Sequence, residues 1–496
     1  MPQKDSIRVD SKVTFTSESM RTDDSGSTLS WRARLRHWTG LDRAIGFTVL
    51  ARLWSALAGV VSVLLIARFL TPYEQGYYYT FFSFMALQVI FELGFSFVVL
   101  QCAAHEHARL SITPDGTVDG DPIAHARLAS VLQKTMRWYA VAATLMVATL
   151  LPAGLYFFGR LGGTDVVVAW KSPWFLLVAA TVVTFPLNPA CAFVEGCGFV
   201  PQMARMRLIQ ALFGSVLAWT ALAARHGLFS PGLLIGANAI VQLWVLSRSK
   251  FRRLLTGLLR YDVTDQQVVW RNEIWPFQWR IAVTWLCSYF IWQMFNPILF
   301  ALRGPVAAGR MGMSLSIASS IGAVGLAWMS TKAAPFGTMI ARGETHKLDR
   351  LFFRTLWQST ALIAAAAAVI FFCLVTIVYI LPRLAARVLS PWAFALLLLT
   401  TIMSHVVSSE ALYLRAHKRE PFLVQALTMS ICISISTVVL ARAAGANAVT
   451  IGYFLFGGVA SLVWGTYLFV TKRREWHGCS AISRKRDLAS SQLTVD

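Results

Sequence analysis

Apolar residues run along this chain in stretches of about 20, separated by short polar connections, a pattern that holds almost from end to end. At 1.5 Å per residue, a helix of that length crosses the ~30 Å hydrocarbon core of a bilayer. The runs predict spans at approximately 45–67, 76–103, 138–158, 174–196, 206–224 and 228–247, then 278–301, 306–329, 357–381, 391–413, 421–441 and 448–470. A polar, basic segment from Arg248 to Trp275 separates the two sets of six. A membrane β-barrel would instead show ~10-residue segments of alternating polarity, and the sequence has none. The predicted fold is an all-α integral membrane protein of about 12 transmembrane helices.

Composition supports this picture. Only 14% of the 496 residues are charged and 56% are hydrophobic, whereas a soluble protein carries roughly 25% charged residues. The 45 Lys and Arg outweigh 24 Asp and Glu. Of these cations only Arg68, Arg160, Lys171, Arg225, Arg303, Arg310, Arg383, Arg387 and Arg442 fall in connections on one side; nearly all the rest fall on the other. By the positive-inside rule both termini are then cytoplasmic, and an odd number of helices would scramble the bias; a bacterial inner membrane is the expected location. The excess charge therefore implies no nucleic-acid partner. The seven cysteines are scattered without CxxC pairs, which argues against a disulfide framework or a zinc site, and no metal or cofactor is expected.

The first ~30 residues lack an apolar core with a small-residue cleavage site, so the first span is expected to act as an uncleaved signal. The basic, Trp-containing stretch Trp31 to Trp38 suits either cytoplasmic headgroups or a solvated tether. The expected organisation is a largely disordered segment 1–44, a six-helix half 45–247, a cytoplasmic loop 248–277, a second half 278–470 and a tail 471–496.

The two halves share a signature. Superposing Pro72 on Pro305 also places Gly76 on Gly309, giving P-x3-G just outside the membrane at the start of the second and the eighth helix. Proline fits a helix start and glycine permits a tight turn. Six helices separate the copies, so both face the same way, as in parallel transporter repeats.

Ionisable groups within spans are costly and mark functional candidates. Arg52 lies about two turns into the first helix. Glu92 lies about 24 Å down the second, at a similar depth, so the two are expected to pair. Arg52, Ser55, Gly59 and Ser62 share one helical face, as do Gln88, Glu92 and Ser96. Arg280, Thr284 and Ser288 form a stripe on the seventh helix, and Thr401, His405 and Ser408 form one on the tenth, with Glu410 near its end. Imidazole titrates near neutrality, so His405 is a candidate proton carrier or a packing residue. Lys332 and Glu195 fall near cytoplasmic ends, where long side chains reach headgroups. Pro186, Asn188 and Pro189 in the fourth helix, and Asn296 with Pro297 in the seventh, are expected to break those helices. The run His105-Glu106-His107 lacks HExxH spacing and reads as a solvated loop. No phosphate-cradling P-loop is present, and no catalytic residue is predicted.

Several stretches resemble a known family: ARFLTPYEQGYYYTF, ELGFSFVVLQ and FVEGCGFVPQMARMRLIQ in the first half, then QWRIAVTWLCSYFIWQMFNPILFALRGPVAAGRMGMSLSIA and YLRAHKREPF in the second. They are similar to the O-antigen flippase-like, polysaccharide exporter members of the multidrug/oligosaccharidyl-lipid/polysaccharide exporter superfamily. The resemblance implies a V-shaped, alternating-access bundle of two six-helix halves in the lipid bilayer. It also implies a polyprenyl-diphosphate-linked glycan as cargo, an ion gradient as drive and polysaccharide-assembly enzymes as candidate partners. Arg pairs with phosphate through two parallel hydrogen bonds, which directs attention to Arg52 and Arg280. Export of another solute or drug on the same fold, and a non-transporting scaffold of a glycan-assembly complex, are the alternatives.

Overall fold

The computed structural model describes residues 43–162, 166–263, 268–270, 275–417 and 421–492. The segment 1–42, including Trp31 to Trp38, lies outside them. Ten helices are long and apolar enough to cross a membrane, and two bent helix pairs each supply one more, giving up to twelve spans among the described residues.

In the first half, α1 (Arg43–Phe69) is followed by a bent span made of α2 (Pro72–Met85), α3 (Gln88–Glu92) and α4 (Phe95–His107). A short hairpin, β1 (Leu110–Ile112) and β2 (Val118–Gly120), leads to α5 (Pro122–Leu161), α6 (Lys171–Gly196), α7 (Val200–Ala223) and α8 (Ser230–Leu246). An amphipathic helix, α9 (Ser249–Arg260), buries Phe251, Leu254 and Leu258. In the second half, α10 (Trp275–Trp292) and α11 (Phe295–Arg303) form the other bent span. They are followed by α12 (Pro305–Ser330), α13 (Ala333–Ala341), α14 (Thr345–Ile380), α15 (Pro382–Ala385), α16 (Pro391–Ala416), α17 (Leu423–Ala444), α18 (Ala446–Tyr453), a π-helical stretch Phe454–Ala460, and α19 (Ser461–Gln492). The last helix thus runs on past residue 470.

Local chemistry sets these boundaries. Thr71 caps α2 in a full capping box: the Glu74 amide donates to Thr71 Oγ1 at 3.2 Å, and the Thr71 amide donates to Glu74 Oε2 at 2.8 Å. Those bonds satisfy amides that a helix start leaves open. Asp121 caps α5 through the Ile123 amide. The second span bends by 46° at Leu93 and Gly94, both left-handed in φ. Gly94 serves twice there, since a Cβ would also lie 2.6 Å from Ile281. The seventh span bends by 42°, at Gln293 and Met294, just before Asn296 and Pro297. By contrast α6 runs unbroken through Pro186 and Pro189, contrary to expectation, and Asn188 accepts a bond from Gln242 of α8 instead of capping a break.

The spans of each half pack mainly among themselves, α1 on α7, α6 on α4, α5 and α8, then α12 on α14 and α16, and α10 on α17. This is a V-shaped bundle of two six-helix lobes. We call the end bearing the hairpin and α9 the basic end, and the other the far end. At the far end the two P-x3-G turns meet. A Cβ on Gly76 would stand 2.0 Å from the Pro305 carbonyl oxygen, and one on Gly309 would stand 2.9 Å from the Gly76 amide nitrogen. The buried Gln75 amide donates to the carbonyls of Gly309 at 2.8 Å and Arg387 at 2.9 Å. Tyr77, Phe157 and Phe158 pack around Phe300 of the second lobe, with ring centroids 5.0–5.5 Å apart.

Overpacking so close a backbone contact costs about 1–3 kcal/mol. Gly76→Ala is therefore expected to lower the melting temperature of the purified protein clearly, whereas Gly257→Ala, which meets nothing within 4 Å, should leave it unchanged or slightly higher. Equal melting of Gly76→Ala and the parent protein would argue against the contact.

Candidate functional site

The faces that meet between the lobes start with α1 and α12. Exposed Arg52 donates to Ser330 Oγ at 2.5 Å, and Gly59 lies against Ser320. The opposite side of α1 is fastened within its own lobe: Trp54 donates to Ala211 O and Ser215, and Trp219 donates to Ser62. Arg280 on α10 is also exposed, with its guanidinium 5.5 Å from the Trp279 ring centre. Thr284 and Ser288 below it bond to carbonyls of their own helix. Both arginines therefore keep their guanidinium groups at the surface of the bundle.

The expected Arg52–Glu92 pair does not form. Ser96 donates to Glu92 Oε1 at 2.6 Å and lies 3.0 Å from the Tyr139 hydroxyl, while Arg52 turns to Ser330. The reason is topological. Helix α1 packs on α7 and α12 rather than on the second span, so equal depth in consecutive helices does not make neighbours. Tyr139, fully buried against Phe95 and Phe185, was not singled out in the sequence, and no motif marks it. Gln88 lies half-buried one turn before Glu92.

Between the bent spans, Asn296 donates to Ser83 at 3.0 Å, and Ser83 lies 3.5 Å from Gln293. This buried polar bridge joins the lobes just beyond the bend in the seventh span.

His405 and Glu410 lie inside the second lobe rather than on a face toward the first. His405 Nε2 is 2.9 Å from Ser359 Oγ of α14, and Gly325 of α12 packs on its ring. Thr466 of α19 donates to Glu410 Oε1 at 3.0 Å. His405 Nδ1 and Glu410 Oε2 have no hydrogen-bond partner among the described residues. Toward the basic end, Arg473 grips Asp349 with two bonds, at 3.1 and 2.6 Å, and Tyr413 donates to the same carboxylate.

Two further expectations change, and Lys332 keeps its place at a helix end. His105, Glu106 and His107 end a helix rather than form a loop, and buried Glu106 pairs with Arg127 at 2.9 Å. Glu195 does not simply reach outward, since both its oxygens accept from Arg207. Lys332 sits at the junction of α12 and α13.

No family model matches the chain, and no curated protein sequence matches it. Solved structures do match. An inward-facing multidrug resistance MATE family transporter of the MOP superfamily aligns with a TM-score of 0.56 over 88% of this chain and 99% of its own, at 14% identity. The lipid II flippase MurJ in an inward closed conformation gives 0.54 over 86% and 87%, at 11% identity. The eukaryotic MATE transporter AtDTX14 gives 0.53 over 90% and 99%, at 14% identity. At these identities the likeness establishes the fold, that of a multi-pass membrane protein whose structural neighbours are transporters and a flippase.

Residues in one network couple energetically by 0.5–3 kcal/mol, and unconnected ones by less. A double-mutant cycle of Asp349→Asn with Arg473→Gln, read by detergent-driven unfolding, should show coupling of about 1 kcal/mol or more. The cycle of Arg52→Gln with Glu92→Gln should stay within about 0.5 kcal/mol. Strong coupling in the second cycle would restore the pair.

Proposed function

We propose that this protein exports or flips a lipid-linked oligosaccharide across a bacterial inner membrane by alternating access, driven by an ion gradient. The observation that carries the reading is the exposed guanidinium of Arg52, held within a span at the α1–α12 meeting of the two lobes. A charge that deep in a bilayer calls for a polar route rather than lipid around it. The resemblance in sequence and the flippase among the structural neighbours favour a lipid-linked cargo. A diphosphate-linked glycan cannot cross hydrocarbon unaided, because its charges and hydroxyls would lose their hydration. On this reading the prenyl tail stays in lipid while the head group passes between the lobes 45–247 and 278–470. Arg52 and Arg280 attract the diphosphate, and Gln88, Glu92 and Thr284 line the path. His405 and Glu410 are the titratable groups through which the second lobe senses a proton gradient. The basic end, with the loop 248–277 and the tail 471–496, faces the cytoplasm.

Export of another solute is the second reading, favoured by the MATE transporters among the structural neighbours. Vesicles holding the purified protein separate the two by whether a fluorescent prenyl-diphosphate glycan or a cationic dye changes sides.

Deleting the gene is expected to abolish one surface or secreted polysaccharide while its lipid-linked precursor accumulates on the cytoplasmic leaflet. Arg52→Ala and Arg280→Ala, expressed at normal levels, should partly reproduce that block, and Arg→Lys should be milder. Intact glycan export in a deletion strain without a second flippase would sink the proposal. Normal export by the arginine variants would remove the site but leave transport standing.

Orientation is tested separately. Single cysteines near Gly227, at exposed His226, and at exposed Ala444 should react with impermeant thiol reagents from outside, and one near Gly343 only after the membrane is opened. The reverse pattern overturns the topology.

A further inference from the structure

Helix α5 is 40 residues long, so it extends well beyond a single bilayer crossing. Between Arg137 and Arg160 it carries no charge, a stretch of about 34 Å that matches the hydrocarbon core. Arg137 and its exposed neighbour Trp138 therefore stand at headgroup level on the basic end, where Trp and Arg anchor a span.

At that level the chain leaving α9 folds back on α5 and is pinned at two places. The Gln133 amide donates to the carbonyls of Leu258, Leu259 and Tyr261. Ser130 accepts from the Val268 amide, and Lys134 donates to the Val268 carbonyl at 2.7 Å. Between chain and helix lies a cavity of about 360 Å³ whose charged lining is Lys134, Arg137 and Arg260, opposed by Asp262 alone. Among the described residues Lys134, Arg137 and Arg260 pair with no carboxylate, unlike Arg127, Arg207 and Arg473, which pair with Glu106, Glu195 and Asp349.

We propose that this cavity binds the phosphate of an anionic lipid in the leaflet at the basic end. Its volume falls in the range of small-ligand sites. Two guanidiniums and an ammonium in a concave wall give a phosphate charge-assisted bonds that a flat basic surface does not. The depth set by Arg137 and Trp138 selects a lipid over a soluble anion, since the acyl chains can remain in hydrocarbon alongside the uncharged part of α5. The three bonds from Gln133 hold Arg260 beside Arg137 before any ligand arrives, so little ordering is needed on binding. This site is separate from the path between the lobes and does not depend on the cargo.

The test is native mass spectrometry of the full chain in neutral detergent, titrated with phosphatidylglycerol or phosphatidylcholine. One phosphatidylglycerol should bind in preference to phosphatidylcholine, and Arg137→Ala with Arg260→Ala should weaken it about tenfold, while inorganic phosphate at the same concentration does not compete. Asp262→Asn should tighten binding, a gain that a misfolded variant cannot imitate. Equal binding of the two lipids, or unchanged binding in a monodisperse double variant, would overturn the proposal, as would no gain in Asp262→Asn. Competition by inorganic phosphate would overturn the lipid assignment.

Discussion

The contact on which this bundle depends is the approach of two backbones at its far end, where Gly76 abuts Pro305 and Gly309 abuts Gly76. Lipid is as apolar as leucine, so no hydrophobic force presses membrane helices together; close packing and hydrogen bonds must. Removing two side chains lets α2 and α12 come near enough for Gln75, itself buried, to bridge the Gly309 and Arg387 carbonyls. Tyr79 packs directly on Gly312, one turn further in. The aromatic cluster around Phe300 completes the seam.

The charged groups inside the bundle obey a rule that the seam does not explain. Among the described residues, Glu92, Glu410 and Arg52 are served within their own lobe or by a hydroxyl across the gap, not by an ion of opposite sign in the other lobe. Glu92 takes Ser96 and, through it, Tyr139; Glu410 takes Thr466; Arg52 takes Ser330. On the transport reading proposed above, neutral partners suit lobes that separate, because breaking a buried ion pair strands a charge and costs about 3–5 kcal/mol. Among the described residues, the ion pairs Arg127–Glu106, Arg207–Glu195 and Arg473–Asp349 each join elements of one lobe.

The sequence carries the spans and the twofold repeat openly, because a bilayer imposes length and apolarity on each helix independently of its neighbours. Pro72, Gly76, Pro305 and Gly309 could be superposed by eye, although nothing in the spacing says that the two turns touch. Partners were far less legible. Depth along a helix can be counted, but which helix stands beside it cannot, and that is why Arg52 was matched with Glu92 instead of Ser330. Helix breaks were legible only in part: the seventh span does bend beside Asn296 and Pro297, but the fourth does not break. Pro186 and Pro189 sit within a continuous α6, while the bend at Leu93 and Gly94 is written in a glycine that also had to admit Ile281. Tyr139 and Ser359 gain their roles only from what faces them.

The two bends divide the lobe interface into unequal parts. Beyond them, toward the far end, the lobes share buried bonds from Gln75 and Asn296 and an aromatic core around Phe300. Toward the basic end the contacts among the described residues include the exposed Arg52–Ser330 bond and the packing of Gly94 on Ile281 and Trp285. Water replaces an exposed hydrogen bond at little net cost, whereas opening a buried one leaves donors and acceptors unmet. The basic end is therefore the cheaper place for the lobes to part. Leu93, a non-glycine residue held at φ 51° beside Gly94 at 67°, places a strained joint between the tight seam and the looser half. The second and seventh spans can then turn at their own bends while the far-end turns stay locked. On the transport reading proposed above, that asymmetry sets the order of events: access opens first where the positive charge is concentrated, and a phosphate-bearing head group meets Arg52 before it meets the seam.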